Sequence, residues 1–289
     1  RIMQVTGWSA RGDSVWKRVK HLRRSIGSPF TEYGQVCALS AKSGTDLQGI
    51  LFAGRRIMTP IVQCRGLTRT YGRKIALNQI NLNLERGRII GLLGPNGSGK
   101  TTLIKIMNGL LVPTAGEVLI GGISPGIETK YKISYLPERT YLHPGMRVEE
   151  MVRYFQDFYP DFRMDRAYDM LARLQIMPGE RLKNLSKGTK EKVQLILVMS
   201  RDADLYILDE PIAGVDPASR DFILHTIVQN YRRNATILLS THLIADVENI
   251  LDEVVFIRYG SIILHAGAEQ IRRNEGKSVD RFFREVFAC

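Results

Sequence analysis

The chain has 289 residues, 44% of them hydrophobic, enough to bury a sizeable core in one large domain or two small ones. Its formal charge of +12 invites a nucleic-acid or membrane partner, but residues 1–57 hold ten basic side chains against three acidic ones and leave only +5 on the remainder. Three scattered cysteines (Cys37, Cys64 and Cys289) exclude a disulfide framework or a zinc site and read as free thiols of a reducing cytosol, and no apolar run reaches bilayer-spanning length.

Residues 1–57 carry no sustained helical or strand periodicity, are rich in Gly, Ser and Arg, and lack the apolar core of a secretory signal. Met58 stands directly before the first patterned segment. The stretch is expected to be an extension outside the native fold; a genuine basic arm is the competing reading. From residue 61 the texture changes. Residues 61–64 suit a strand and residues 67–72 a turn-bearing link, while residues 80–84 alternate apolar and Asn as a half-buried strand does. Glu85, Arg86 and Gly87 then turn into an apolar run, residues 88–93, of strand length.

Gly94, Pro95, Asn96, Gly97, Ser98, Gly99, Lys100, Thr101 and Thr102 follow that run and fit G-x-x-x-x-G-K-[ST]. Leu103, Ile104 and Met107 come next at helical spacing, and Asn108 with Gly109 stops the helix. Strand, glycine loop and helix is the order that phosphate binding needs. Glycines let backbone N–H groups converge on one concavity, and the helix N-terminus adds a field that favours anions. Lys100 supplies a point charge for the β- and γ-phosphates, and the Thr101 hydroxyl is placed for Mg²⁺. With the whole motif in its context, this is a nucleotide site.

Short strands are expected at residues 117–120 and 133–136, the second ending at Pro137 and Glu138. A helical block follows. Val148, Met151, Val152, Phe155 and Phe158 form one apolar stripe, and Ala167, Met170, Leu171 and Leu174 a second, both read as packing surfaces. Leu185, Ser186, Lys187, Gly188 and Thr189 open a third helix running to about Ser200, with Ser186 as its N-cap. Residues 205–208 form a buried strand that ends in Asp209, Glu210 and Pro211. Asp216 and Pro217 start another helix, residues 236–240 make a further strand before Thr241 and His242, and residues 253–257 and 262–264 make a hairpin around Tyr259 and Gly260. A charged helix ends the chain. The fold class is α/β: a phosphate-loop core with a mostly parallel sheet, an N-terminal antiparallel β subdomain, and a helical insertion near residues 139–200.

Two acids at the end of an apolar strand are what a phosphate-loop hydrolase still lacks at this point. Asp209 can order Mg²⁺ and its waters, and Glu210 can orient or deprotonate the attacking water. The order of motifs resembles the ATP-binding subunit of ABC transporters over about residues 60–265, and within that family the bacterial subunits that serve ABC-2-type, exporter-like permeases. The resemblance identifies Ser186 and Gly188 as a signature that meets a γ-phosphate bound to the opposite subunit. It makes His242 the switch histidine and Tyr71 the aromatic residue that stacks on adenine. It places Gly214, Val215, Asp216 and Pro217 in the loop between the two nucleotide domains. The chain departs from the family at Lys187, where the usual signature LSGGQ has glycine, and at Glu138, which stands where a glutamine often senses Mg²⁺ and water; a carboxylate accepts but cannot donate as an amide does.

The resemblance implies an ATPase with ATP and Mg²⁺, the metal held by Thr101, Asp209 and Glu138. Two ATP molecules would sit between two such subunits, in a homodimer or heterodimer. Glu210 would be the general base, His242 would hold γ-phosphate and water in line, and Lys100 would neutralise phosphate charge. A separate transmembrane permease would be driven from the inner face of the cell membrane, with the nucleotide domain spanning residues 58–289. The alternative class is a soluble ABC-type ATPase acting on nucleic acid or ribosomes. A single phosphate loop, no sustained heptads and no clustered cysteines weigh against it.

Overall fold

The computed structural model describes residues 59–213, 215–231 and 234–288. The expected extension at residues 1–57, Cys37, Gly214 and Cys289 lie outside the described residues. Strands β1 (Val62–Tyr71), β2 (Lys74–Leu84) and β4 (Ala115–Ile120) form an antiparallel sheet in the order β2-β1-β4. Residues 67–71 are a continuation of β1 and not the link expected from sequence. Register shifts between Cys64 and Leu67, Leu67 and Arg69, and Arg69 and Thr70 explain the misreading. Each bulge breaks the two-residue period on which a strand is recognised. Cys64 is buried in β1, where burial pushes its thiol up to about 12, so it stays protonated and unreactive.

The second sheet contains β3 (Ile89–Leu93), β5 (Ile133–Leu136), β6 (Leu205–Asp209), β7 (Thr236–Thr241), β8 (Glu253–Arg258) and β9 (Ser261–Gly267). Its order is β5-β6-β7-β3-β8-β9, parallel from β5 to β8 and closed by the antiparallel β8–β9 hairpin. Every residue of β3, β6 and β7 is buried, so residues 89–93, 205–208 and 237–239 are apolar on both faces, and the polar residues stand at the strand ends. One apolar cluster joins both sheets to helix α1 (Lys100–Met107), through Leu82, Leu92, Leu103, Met107, Ile207 and Leu238 among others. Helix α2 (Ile127–Lys132) is too short to show a period and is not anticipated by the sequence.

Between β5 and β6 the chain inserts α3 (Val148–Phe158), α4 (Met164–Arg173) and α5 (Lys187–Met199). Arg201, almost fully buried just after α5, fastens this insertion to the sheet. Its guanidinium donates to the Asp161 carboxylate (3.1 and 3.3 Å), to Ile133 O (2.6 Å) and to Lys130 and Tyr131 O (3.1 and 3.2 Å), and stacks 3.8 Å over the Tyr159 ring. A buried cation is tolerable only when its donors are met in this way. The helix α6 (Pro217–Asn230) precedes β7, and α7 (Ile244–Val247), α8 (Ala268–Glu275) and α9 (Val279–Phe287) complete the described helices. Because β6, β7 and β3 are adjacent and parallel, their C-terminal ends open side by side, the position where ligands gather in open α/β sheets.

Candidate active site

The loop between β3 and α1 is tight because it has no room for side chains. A Cβ on Gly94 would stand 2.4 Å from Ile257 O and 2.7 Å from Ser98 Oγ. One on Gly99, whose φ is +113°, would stand 2.8 Å from Ala76 O in a conformation that L-residues avoid. Helix α1 begins with no side-chain cap and no acid in its first turn, so its N-terminal field faces the loop uncancelled. Ser98 Oγ is buried without a hydrogen-bond partner. Asn96 and Gly97 form the turn of the loop, and Thr101 and Thr102 lie half-buried in the first turn of α1.

Lys100 is only 6% exposed. Its ammonium donates to Gly94 O at 2.7 Å and Pro95 O at 3.3 Å and lies 3.8 Å from Glu210 Oε1. Burial pulls its pKa down, while the Glu210, Asp209 and Glu138 carboxylates oppose that shift. A cation held among carbonyls at the foot of a glycine loop is chemically suited to receive phosphate oxygens.

The acidic pair ends β6. Asp209 is buried and pairs in register with Ser240 of β7, whose hydroxyl donates to Asp209 Oδ1 at 2.5 Å. Asp209 Oδ2 is buried with no hydrogen-bond partner. Burial raises the Asp209 pKa, the Ser240 and Thr101 side chains pull it back, and the Glu138 and Glu210 charges push it up again. An orphaned carboxylate oxygen beside the Thr101 hydroxyl is a hard oxygen donor set, and it fits a Mg²⁺ ion.

Glu210 adopts the left-handed region, with φ +53°, a conformation costing about 1–3 kcal/mol for a residue with a side chain. Its N–H is held by Ser240 O at 3.0 Å. The reversed backbone turns the carboxylate away from the strand's own alternation. Oε1 then faces Lys100 and Oε2 lies 3.0 Å from His242 Nδ1, at the end of β7. A carboxylate oxygen accepts this bond when Nδ1 carries the ring proton. Glu138, exposed beyond β5, lines one small cleft with Asp209, Glu210, Glu191 and Gln194.

Lys100, Asp209, Glu210, His242 and Glu138 thus converge, together with the Gly94 loop. The other expected residues stand on other elements. Tyr71 is half-exposed on the β1–β2 hairpin, with the Arg69 guanidinium 4.7 Å from its ring centre. Ser186 caps α5, accepting from Thr189 N at 3.1 Å, and a Cβ on Gly188 would meet nothing within 4 Å. Lys187 is exposed, with its ammonium 3.9 Å from Glu191. Asp216 is exposed, and its carbonyl accepts from Arg220 N at 3.1 Å as α6 begins. Glu191 and Gln194, one turn apart on α5, are cleft residues that the sequence reading missed. A polar Gln194 directly before the apolar run 195–199 was the available signal, and the structure buries it. Burial raises the Glu191 pKa, opposed by Lys187.

A glycine cradle, a buried lysine and a strand-end acidic pair flanked by a histidine define a phosphate-loop nucleotide hydrolase. Residues 77–213 match the ABC transporter family. The chain is 32% identical over 209 residues to the SkfA peptide export ATP-binding protein SkfE of Bacillus subtilis (strain 168), covering 70% of this chain and 87% of that one. It is similar to a solved ATP-binding subunit of an ABC transporter (TM-score 0.71, 29% identity, 78% of this chain and 99% of that one). It shares its fold with the dimeric ATP-binding cassette MJ0796 bound to ADP and Pi (TM-score 0.64, 22% identity, 71% and 98% covered). The chain belongs to the ATP-binding proteins of the ABC transporter family. It is an ATPase that uses ATP with Mg²⁺. ATP-binding subunits of this family dimerise, work with membrane permeases and are membrane-associated. Among the described residues no helix is long and apolar enough to cross a membrane. The nucleic-acid alternative gains nothing from these relatives.

Proposed function

We propose that this chain is the ATP-hydrolysing half of an exporter-type transporter, with Glu210 as the general base. The observation that carries this is the Glu210 carboxylate held between Lys100 and His242 by a left-handed backbone. Thr101 and Asp209 would hold Mg²⁺, with Glu138 beside them, and the ion when bound supplies charge neutralisation on the transferring phosphoryl group. Lys100 leaves the Gly94 and Pro95 carbonyls for the β- and γ-phosphate oxygens, and the loop N–H groups close around them. Glu210 takes the proton of the attacking water, and His242, hydrogen-bonded to Glu210, keeps base, water and γ-phosphate in line. Tyr71 stacks on adenine.

Each site is completed by Ser186 and Gly188 of a second subunit, with Asp216 at the junction, so ATP closes the dimer and hydrolysis reopens it. Residues 58–289 form this domain, residues 139–165 contact a separate permease on the inner membrane face, and residues 1–57 are an extension. The export name of the relative SkfE supports an outward-moving cargo. Two measurements test the proposal. Specific ATPase activity should rise with protein concentration as dimers form, and the chain should co-purify with a polytopic membrane protein. Activity independent of dilution overturns the shared site; salt-dependent binding of residues 58–289 to RNA or DNA, with no membrane partner, overturns the transport role.

A further inference from the structure

We infer that Ser240 is a positioning residue of the hydrolysis site: its hydroxyl clamps Asp209 Oδ1 so that Oδ2 alone is presented to the divalent cation. The inference rests on the proposed assignment of Asp209 to Mg²⁺. Ser240 is fully buried, and the parallel register of β6 and β7 sets it directly beside Asp209. A buried hydroxyl is costly unless its bonds are made. Ser240 Oγ makes two: it donates to Asp209 Oδ1 at 2.5 Å and accepts from Glu210 N at 3.2 Å. The second is redundant, because Glu210 N already donates to Ser240 O at 3.0 Å. The Thr101 side chain bears on the same carboxylate, but the bond to Asp209 Oδ1 is not duplicated by any backbone group.

Its effect is geometric. A carboxylate at the end of a short side chain can rotate either oxygen toward a ligand or tilt between them. With Oδ1 engaged, the plane of the group is fixed, and Oδ2 remains buried without a partner. That oxygen is held in the orientation a cation needs before the cation arrives, which lowers the ordering cost of binding. The same hydroxyl touches the peptide that turns Glu210 into the left-handed region, so the metal-side acid and the base-side acid are registered to one atom.

The test measures binding and not turnover. A non-hydrolysable ATP analogue is titrated by calorimetry into the full chain at rising free Mg²⁺, for wild type, Ser240→Ala, Ser240→Thr and Asp209→Asn, with melting curves taken without Mg²⁺. Loss of an outer partner of a metal ligand costs about 10–100-fold in metal affinity, so Ser240→Ala should raise the half-saturating Mg²⁺ concentration about tenfold or more. Mg²⁺-free affinity for the analogue should stay unchanged, because the glycine loop is untouched. Ser240→Thr keeps the hydroxyl and should restore the wild-type Mg²⁺ dependence. Wild-type Mg²⁺ dependence in Ser240→Ala, with Asp209→Asn displaced, overturns the role of Ser240 while leaving Asp209 at the metal. An undisplaced Asp209→Asn overturns the metal assignment itself and the inference with it. Equal weakening with and without Mg²⁺ in Ser240→Ala means general packing damage and also refutes the clamp.

Discussion

Replacing Glu210 by glutamine separates chemistry from binding, and the structure gives the sign of each effect. The side chain keeps its shape, and an amide oxygen can still accept from His242 Nδ1 at the observed 3.0 Å. What disappears is the charge. Glu210 Oε1 stands 3.8 Å from the Lys100 ammonium, a gross attraction of about 4 kcal/mol at an effective dielectric of about 20. Part of it is already offset by desolvation of the two groups. Incoming phosphate oxygens compete with this carboxylate for the same ammonium. Glu210→Gln should therefore bind ATP at least as tightly as wild type, and up to about tenfold more tightly, a gain of about 1.4 kcal/mol. Turnover should fall by about two to four orders of magnitude, the usual share of general acid–base catalysis, or about 3–5 kcal/mol of barrier. Lys100→Ala should do the opposite and lose ATP binding and dimerisation together. Calorimetry with ATP, phosphate release, and size-exclusion chromatography with ATP and Mg²⁺ measure the three quantities. Trapped dimer for Glu210→Gln and monomer for Lys100→Ala is the expected pair. Wild-type turnover in Glu210→Gln refutes the assignment of the base, and weakened ATP binding in it refutes the competition argument.

His242→Ala should slow turnover, and the double variant with Glu210→Gln should lose less than the two single losses combined, because the histidine acts partly through the base; fully additive losses would show that the two act independently. Glu138→Gln should alter permease-stimulated turnover and leave nucleotide affinity intact, and an unchanged coupled rate would remove Glu138 from that path. A chain starting at Met58 should melt and bind ATP as the full chain does, and a large loss in either would make residues 1–57 part of the functional protein. Arg201→Lys should cost about 2–4 kcal/mol, because lysine cannot span the Asp161 carboxylate and three carbonyls at once, lowering the melting temperature by about 5–15 °C; an unchanged melt would show the fastening to be dispensable.

The phosphate loop was legible because its chemistry is local: Gly94, Gly99, Lys100 and Thr101 lie within eight consecutive residues and act through backbone geometry that those residue types dictate. The acidic pair was legible because an apolar strand ends on it. Less local features were hidden. Nothing in the neighbourhood of Ser240 announces Asp209, since 31 residues separate them and only strand register brings them together. The bond of Arg201 to Ile133 O spans 68 residues and is equally invisible. Glu210's left-handed backbone contradicts its residue type, so no propensity foretells it; the surrounding site imposes it. The bulges of β1 disguised a long strand as a short strand and a link. The helices of the insertion were legible because Val148, Met151, Val152 and Phe155 follow the helical period and are buried; Phe158, expected on the same stripe, lies at the helix end and is exposed.

Helix α5 sets how far Ser186 stands from the sheet. Its thirteen residues span about 20 Å at the rise of an α-helix. Ser186 caps its N-terminus, residues 193–199 are buried, and Arg201 lies just past its C-terminal end, tied to both the insertion and the sheet. Over that length a difference of about 10° in the axis at one end is about 3 Å at the other, the length of one hydrogen bond. The ties of Arg201 to Asp161 and Tyr159 therefore bear on where Ser186 stands. A substitution at Arg201 would thus be felt at Ser186, across the thirteen residues of the helix, without altering any atom there.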